Sequence, residues 1–207
     1  MNQFYTPWLD IIIPPFTHLA DSIILVALVT ILLIRRNAAL LALALMSLSI
    51  CGILVIGLKK YIFYDWHRPL EILGSTQAFH CLVPIRYHSF PSGHASTIMS
   101  VLPMIAFFYR YRALWVQVLV ACIGIFIAYT RVYIGVHFLA DILVGSVLST
   151  VVATFILVFA YDAVQEKLLS IDFYAKQGLR RGIIWLGYIL LFMGILRING
   201  FLGVEPF

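Results

Sequence analysis

Charge is scarce in this chain. Of 207 residues only 14 are Lys or Arg and 9 are Asp or Glu, 11% together, where a soluble domain carries about 25%. The deficit is matched by an excess, 63% hydrophobic residues and a mean hydropathy of +1.02, against about 45–50% apolar residues in soluble domains. So much apolar surface does not fit inside a water-soluble core, which excludes an ordinary soluble enzyme. Cysteine is scarce too. Cys51 and Cys122 fall inside apolar runs and Cys81 stands apart, so no disulfide framework is implied. The net charge of +5 is not gathered into a basic stripe with interleaved aromatics, which excludes a nucleic-acid partner. The N-terminus lacks a basic n-region and an A-x-A-like cleavage site, so no removable signal peptide is expected. Repeats, low-complexity tracts and linkers are missing as well, and one domain over residues 1–207 is expected.

What the chain does have is long apolar runs. Crossing the hydrocarbon takes roughly 20 apolar residues as a helix, and in lipid the backbone must satisfy its own hydrogen bonds, so the spans are helices. The runs predict an all-α polytopic membrane helix bundle of six transmembrane helices, over residues 19–33, 38–58, 94–109, 114–129, 138–159 and 182–198. Residues 1–18, with Trp8, Asp10 and Pro14-Pro15, read as an interfacial stretch. Residues 61–90 form a polar, aromatic-rich outer segment, and residues 161–181 a polar connector. With six spans, one side carries Arg35, Arg36, Arg110, Arg112, Lys167, Lys176, Arg180 and Arg181; the other carries Lys59, Lys60, Arg68, Arg86, Arg131 and Arg197. Setting Lys60, Arg68 and Arg131 aside as functional, the first side is expected to be cytoplasmic. The segment 61–90 then faces outward, and an integral protein of a bacterial inner membrane would face the periplasm or the outside there.

Three polar clusters fall on that outward side: Lys60 with Arg68-Pro69, Pro91-Ser92-Gly93-His94, and Thr130-Arg131 followed by His137 and Asp141. Ionisable groups at membrane depth are costly and point to function. His137 and Asp141 are four apart and stack on one helix face. The carboxylate can accept the Nδ1 proton and leave Nε2 basic, so that Nε2 can abstract a proton, bind a metal or attack phosphorus. The plain alternative is a structural pair at a helix start. Ser92-Gly93 opens a span as N-cap and small residue, with free N–H groups that suit an anion, and His94 sits in the first turn, placed to give a proton; a merely capped helix start is again the plain alternative. Arg68 and Arg131 can fork onto phosphate oxygens, and Lys60 adds a point charge. Lys59 reads as a snorkelling anchor. His80, Cys81 and His88 fit no common zinc spacing and read as structural or substrate-contacting. Asp65, His67 and Glu71 read as groups that orient Arg68 or shape the entrance, and Phe63, Tyr64, Trp66 and Phe79 as headgroup-belt aromatics. Asp162, Glu166 and Asp172 read as solvated charges.

Together the clusters resemble the signature of the type 2 phosphatidic acid phosphatase superfamily: Lys-x6-Arg-Pro, then Pro-Ser-Gly-His, then Ser-Arg-x5-His-x3-Asp. Two departures are visible. Thr130 stands for the usual Ser, and seven residues separate Lys60 from Arg68 rather than six. The resemblance implies a membrane phosphatase acting on a lipid phosphate or diphosphate, without cofactor or metal. His137 would attack phosphorus, His94 would protonate the leaving group and then help activate water, and Asp141 would orient His137. Lys60, Arg68, Ser92, Gly93 and Arg131 would bind phosphate. Candidate substrates are undecaprenyl diphosphate, phosphatidylglycerol phosphate, phosphatidic acid and lipid A phosphates. The alternatives are a lipid-to-lipid phosphotransferase, a non-catalytic lipid-phosphate binder or transporter, and a vanadium-dependent haloperoxidase, whose relatives are large and soluble.

Overall fold

The computed structural model describes residues 7–73 and 87–198. Arg86, Phe79, His80 and Cys81 lie outside them. The described residues are helical throughout apart from turns and loops: α1 (Pro7–Thr17), α2 (Ser22–Leu33), α3 (Ala38–Gly57), the short α4 (Pro69–Leu73), α5 (Gly93–Phe108), α6 (Leu114–Tyr133), α7 (Leu139–Ser170) and α8 (Gln177–Ile198). Among the described residues four helical stretches are long and apolar enough to cross a membrane: Ala38–Ile62, Leu114–Tyr133, Leu139–Ser170 and Gln177–Ile198. The stretch 11–20 and α2 meet at a 72° bend, a broken span or re-entrant loop, while α5 is a shorter apolar helix of 16 residues. The chain is an integral membrane protein.

Side chains that cap and cross-link set where the helices start. Asp21 is the N-cap of α2, accepting from the Ile23 N–H at 2.9 Å, and it lies 3.8 Å from Arg197 near the end of α8. Asn37 caps α3 by accepting from the Leu40 N–H at 3.0 Å and donates through Nδ2 to Tyr161 of α7 at 3.1 Å. The α3, α5 and α7 helices pack around a core that includes Leu40, Leu43, Val101 and Met104, all buried. On α7 the buried residues Asp141, Gly145, Ser149 and Ala153 recur every four positions, the small-residue face that lets membrane helices approach closely. Ser149 also meets the Ser96 hydroxyl of α5.

One expectation about extent needs correction. Residues 7–17, read as an interfacial stretch, form a helix despite Pro14-Pro15. The connector after the fifth span is largely helix, since α7 continues to Ser170 and α8 already begins at Gln177. Residues 161–170 are polar, yet Ala, Gln, Glu, Lys and Leu are good helix formers, and a helix leaving the hydrocarbon need not stop.

Candidate active site

The site is assembled from the loop after α3, the segment before α5, and the turn between α6 and α7. His137 lies just before α7 and Asp141 in its first turn, with exposures of 3% and 0%. His137 Nδ1 stands 3.2 Å from Asp141 Oδ2, and the same oxygen accepts the Phe138 N–H at 2.9 Å. A further group, absent from the motif reading, completes the arrangement. The buried Ser89 hydroxyl donates to Asp141 Oδ2 and lies 3.3 Å from His137 Nδ1. Because Ser89 spends its proton on the carboxylate, its lone pairs face the imidazole and can only accept. The network therefore assigns the proton to Nδ1 and leaves Nε2 as the lone-pair nitrogen. Burial, and then the charges of Arg68, Arg131 and Lys59, hold the His137 imidazole well below its usual range, so it is neutral at physiological pH.

The cations come from separate elements. Arg68 is 7% exposed; its Nε donates to the Tyr87 carbonyl at 2.9 Å and Nη1 to the Val136 carbonyl at 3.2 Å. Those two carbonyls aim the guanidinium, rather than Asp65, which stands 3.7 Å from His67 instead. Arg131 is equally buried, and its Nη1 donates to the Thr17 hydroxyl at 2.9 Å. Thr17 ends α1, so the bent N-terminal helix reaches the site. His18, next in the chain, lies within electrostatic range of both Arg131 and His94. Nothing in the sequence around Thr17 and His18 marks them, because a bend brings them there.

Lys60 does not join this group, which corrects the expectation that it would. It is exposed and lies over the Tyr61 ring, 5.7 Å from the centroid. Lys59 takes the inward place, donating to the His88 carbonyl at 2.8 Å within electrostatic range of Arg68, Arg131 and Asp141. The cause is a π turn over Leu58–Ile62, closed by the Phe63 N–H on the Leu58 carbonyl at 2.8 Å. A π turn takes up an extra residue, so counting back from Arg68 along a regular helix selects the wrong lysine.

Ser92, fully buried, is the N-cap of α5, but its hydroxyl makes no capping bond and has no partner among the described residues. Its N–H, expected to be open to an anion, instead donates to the Asp141 carbonyl at 2.9 Å. Ser92 thus offers a hydroxyl, and the helix start offers the N–H groups of the first turn beyond it. A Cβ on Gly93 would meet nothing within 4 Å, whereas a Cβ on Gly145 would lie 2.7 Å from the Ser92 carbonyl oxygen. Gly145 is one turn along α7 from Asp141, and its lack of a side chain is what lets α7 lie against the Ser92 backbone. His94, partly exposed in the first turn of α5, is within electrostatic range of Arg131 and His137. Thr130 is buried with its hydroxyl turned back onto the Ile127 carbonyl at 2.6 Å. A cavity of about 480 Å³ adjoins Asp141, walled by Trp66, Ile72, Phe138 and Leu139, with Asp65 and His67 as polar lining. Among the described residues no three His, Cys, Asp or Glu side chains are grouped to hold a metal ion.

The sequence model of the PAP2 superfamily matches residues 71–165, the stretch that holds Ser92, Gly93, His94, Arg131, His137 and Asp141. Over that stretch the chain is similar to the PAP2 superfamily. Among PAP2 proteins, phosphatidylglycerophosphatase B of Bacillus subtilis (strain 168) is 28% identical over 167 residues, covering 75% of this chain and 76% of that protein. The crystal structure of Aquifex aeolicus LpxE superposes with a TM-score of 0.66 at 25% identity, over 76% of this chain and 90% of that one. The first transmembrane PAP2 type phosphatidylglycerolphosphate phosphatase from Bacillus subtilis gives a TM-score of 0.58 at 26% identity, over 75% and 78%. The chain is thus similar in fold and in sequence to membrane PAP2 proteins.

Proposed function

We propose that this protein is a lipid phosphate phosphatase working through a phosphohistidine at His137. The observation that carries the reading is the commitment of His137 Nδ1 to Asp141 and Ser89, which leaves a buried, neutral Nε2 among Lys59, Arg68 and Arg131. Phosphoryl transfer is catalysed chiefly by positioning and by stabilising spread negative charge, and this is the combination of groups such a reaction uses. Nε2 bonds to phosphorus as the bond from phosphorus to the lipid oxygen breaks, and His94 gives its proton to that oxygen. Water then attacks phosphorus and yields its proton to His94, the phosphorus–nitrogen bond breaks, and orthophosphate leaves with His137 restored. Asp141 stabilises the charge on His137 in between. The cations, the Ser92 hydroxyl and the N–H groups from Gly93 onward hold the phosphoryl oxygens, which supplies the needed charge without a metal.

The substrate is an amphiphile whose apolar part stays at the membrane, a reading supported by the cavity beside Asp141 with its wall of Trp66, Ile72, Phe138 and Leu139. Two of the relatives are named for phosphatidylglycerol phosphate, so that lipid leads the candidates, ahead of undecaprenyl diphosphate, phosphatidic acid and lipid A phosphates. We read the chain as one domain over residues 1–207 with six spans, α2, α3 and α5–α8. We place it in a bacterial inner membrane with the site outward, because the connections α2–α3, α5–α6 and α7–α8, rich in Arg and Lys, lie at the other end.

The test is orthophosphate release from a panel of these lipids in detergent, with a chelator present throughout, and rapid quenching of a labelled donor to trap acid-labile, base-stable phosphoprotein. Label that passes to an added second lipid instead of to water would mark a phosphotransferase. Release from no lipid by folded protein would leave a binder. Since His137 must be neutral to attack and its folded pKa lies below the ordinary 6.5, the acid limb of kcat/KM should fall below that value. A second limb should follow on the alkaline side of the first as the proton donor is lost, making the profile a bell. A flat profile would remove the two-histidine scheme. Lys59→Ala should lower kcat/KM by roughly 10–100-fold, the loss of one charge-assisted hydrogen bond. Lys60→Ala should stay within about 2-fold, and the reverse ranking would return the role to Lys60.

A further inference from the structure

At the end of the bundle remote from His137 lies a second polar cavity. It measures about 430 Å³ and is lined by Arg35, Gln177, Arg180, Arg181 and Ile184. Arg35 follows the C-terminus of α2, whereas Gln177, Arg180 and Arg181 occupy the first turns of α8. The two helices are held together closely: a Cβ on Gly194 would lie 2.6 Å from Ile24 Cγ1, so α8 can seat against α2 only without a side chain there. Buried Ile184 closes the cavity floor.

Three arginines line this one concavity, where like charges repel, and none of them forms an ion pair among the described residues. Arg180 and Arg181 also sit at a helix N-terminus, where the macrodipole disfavours positive charge. Topology alone asks only that basic residues lie on this side of the membrane, and Lys or Arg snorkelling outward would satisfy it. It does not ask that three of them line one cavity. Nor does it explain the Nε of Arg180, which is enclosed and makes no hydrogen bond among the described residues. An orphaned buried donor is costly, and a bound oxyanion would answer both the charge and the donor, since guanidinium forks match phosphate oxygens. The size suits a headgroup, as ligand sites commonly run to about 300–1,000 Å³.

We propose that this cavity is an anion site for a phosphate-bearing group, held by Arg35, Arg180 and Arg181 in the leaflet opposite the active site. The ligand chemistry is a phosphate mono- or diester, which either an anionic lipid headgroup or a soluble phosphate can present. The site does not depend on the phosphatase reading, because no residue is shared with the catalytic centre.

The experiment compares thermal stability of full-length wild type and Arg180→Gln. One arm uses neutral detergent with inorganic phosphate or pyrophosphate. The other uses nanodiscs of phosphatidylcholine alone or with phosphatidylglycerol. Arg180→Gln leaves the other basic residues of that end to keep the topology, and a cooperative melting transition with monodisperse elution in detergent reports that it is folded. The expected result is a higher Tm for wild type with the anion and at least ~10-fold weaker apparent binding in Arg180→Gln, the loss of one charge-assisted contact. A shift with phosphatidylglycerol only identifies a lipid headgroup; a shift with soluble phosphate or pyrophosphate identifies a free anion. Equal shifts in wild type and variant would place the binding elsewhere, the active site included, and overturn the proposal. So would no shift in either arm. If Arg180→Gln does not fold, Gln177→Leu, which narrows the same cavity without removing charge, must reproduce the weakened binding for the proposal to stand.

Discussion

Replacing His137 with alanine is expected to lower phosphate release by at least ~10³-fold, the scale on which removing a nucleophile acts in enzymes that use one. The expectation rests on the uniqueness of Nε2. The Ser92 hydroxyl has no hydrogen-bonded base among the described residues to activate it, and the Ser89 hydroxyl is spent on Asp141. Trapped phosphoprotein should vanish with the activity, while lipid binding persists because Lys59, Arg68 and Arg131 remain. Asp141→Asn should fall between, since an amide can keep the shape but not the charge that balances the imidazolium. It also takes a strong acceptor from three donors at once: Ser89, His137 and the Phe138 N–H. Turnover in His137→Ala within about 10-fold of wild type would assign the nucleophile elsewhere.

Gly145→Ala should be the most damaging change of a single methyl group. The added Cβ meets the Ser92 carbonyl oxygen at 2.7 Å and the Ser92 nitrogen at 3.3 Å. Both are backbone atoms, so no side chain can swing aside. Either α7 backs away or the Pro91–His94 turn shifts, and the 2.9 Å bond from the Ser92 N–H to the Asp141 carbonyl spans that same gap. The two halves of the site, His94 on α5 and His137 with Asp141 on α7, are registered across it. A displacement approaching 1 Å costs about 10²-fold in rate, and overpacking costs about 1–3 kcal/mol of stability. Kinetics should show the loss mainly in kcat, with Tm lowered as well. Gly52→Ala is the matched control, because its Cβ would meet nothing within 4 Å. Equal activity in the two variants would mean that the α5–α7 gap is more compliant than its contacts indicate.

How far the site could be read in advance depended on which kind of geometry held each residue. His137 and Asp141 were paired from helix periodicity, yet His137 precedes the helix and the two meet because Asp141, at the third helical position, reaches back over the start of α7. His94 followed from a helix start that Pro91 and Ser92 announce. Which of the two lysines turns inward was not legible, because the π turn over Leu58–Ile62 obeys no residue pattern visible in the chain. Ser89 and Thr17 were invisible for another reason. Each acts through contacts more than 50 or 100 residues away, to Asp141 and Arg131 respectively, and a lone hydroxyl gives no local sign of its distant partner. Gly145 did leave a trace in the four-residue recurrence of Asp141, Gly145, Ser149 and Ala153. It passed as one more small residue in an apolar run. The helical class was plain from composition, whereas the N-terminal bend and the length of α7 depended on packing and on helix propensity beyond the hydrocarbon.

Thr130 gives the family signature a different complexion. The position beside the arginine is usually serine, and its hydroxyl here donates to the Ile127 carbonyl inside α6. A hydroxyl bent back onto its own helix competes for a carbonyl and can bend the last turn, the turn from which Arg131 departs. Serine and threonine perform that carpentry equally well. The letter therefore records how a helix is finished rather than how a substrate is held, and a drift between the two leaves the chemistry untouched.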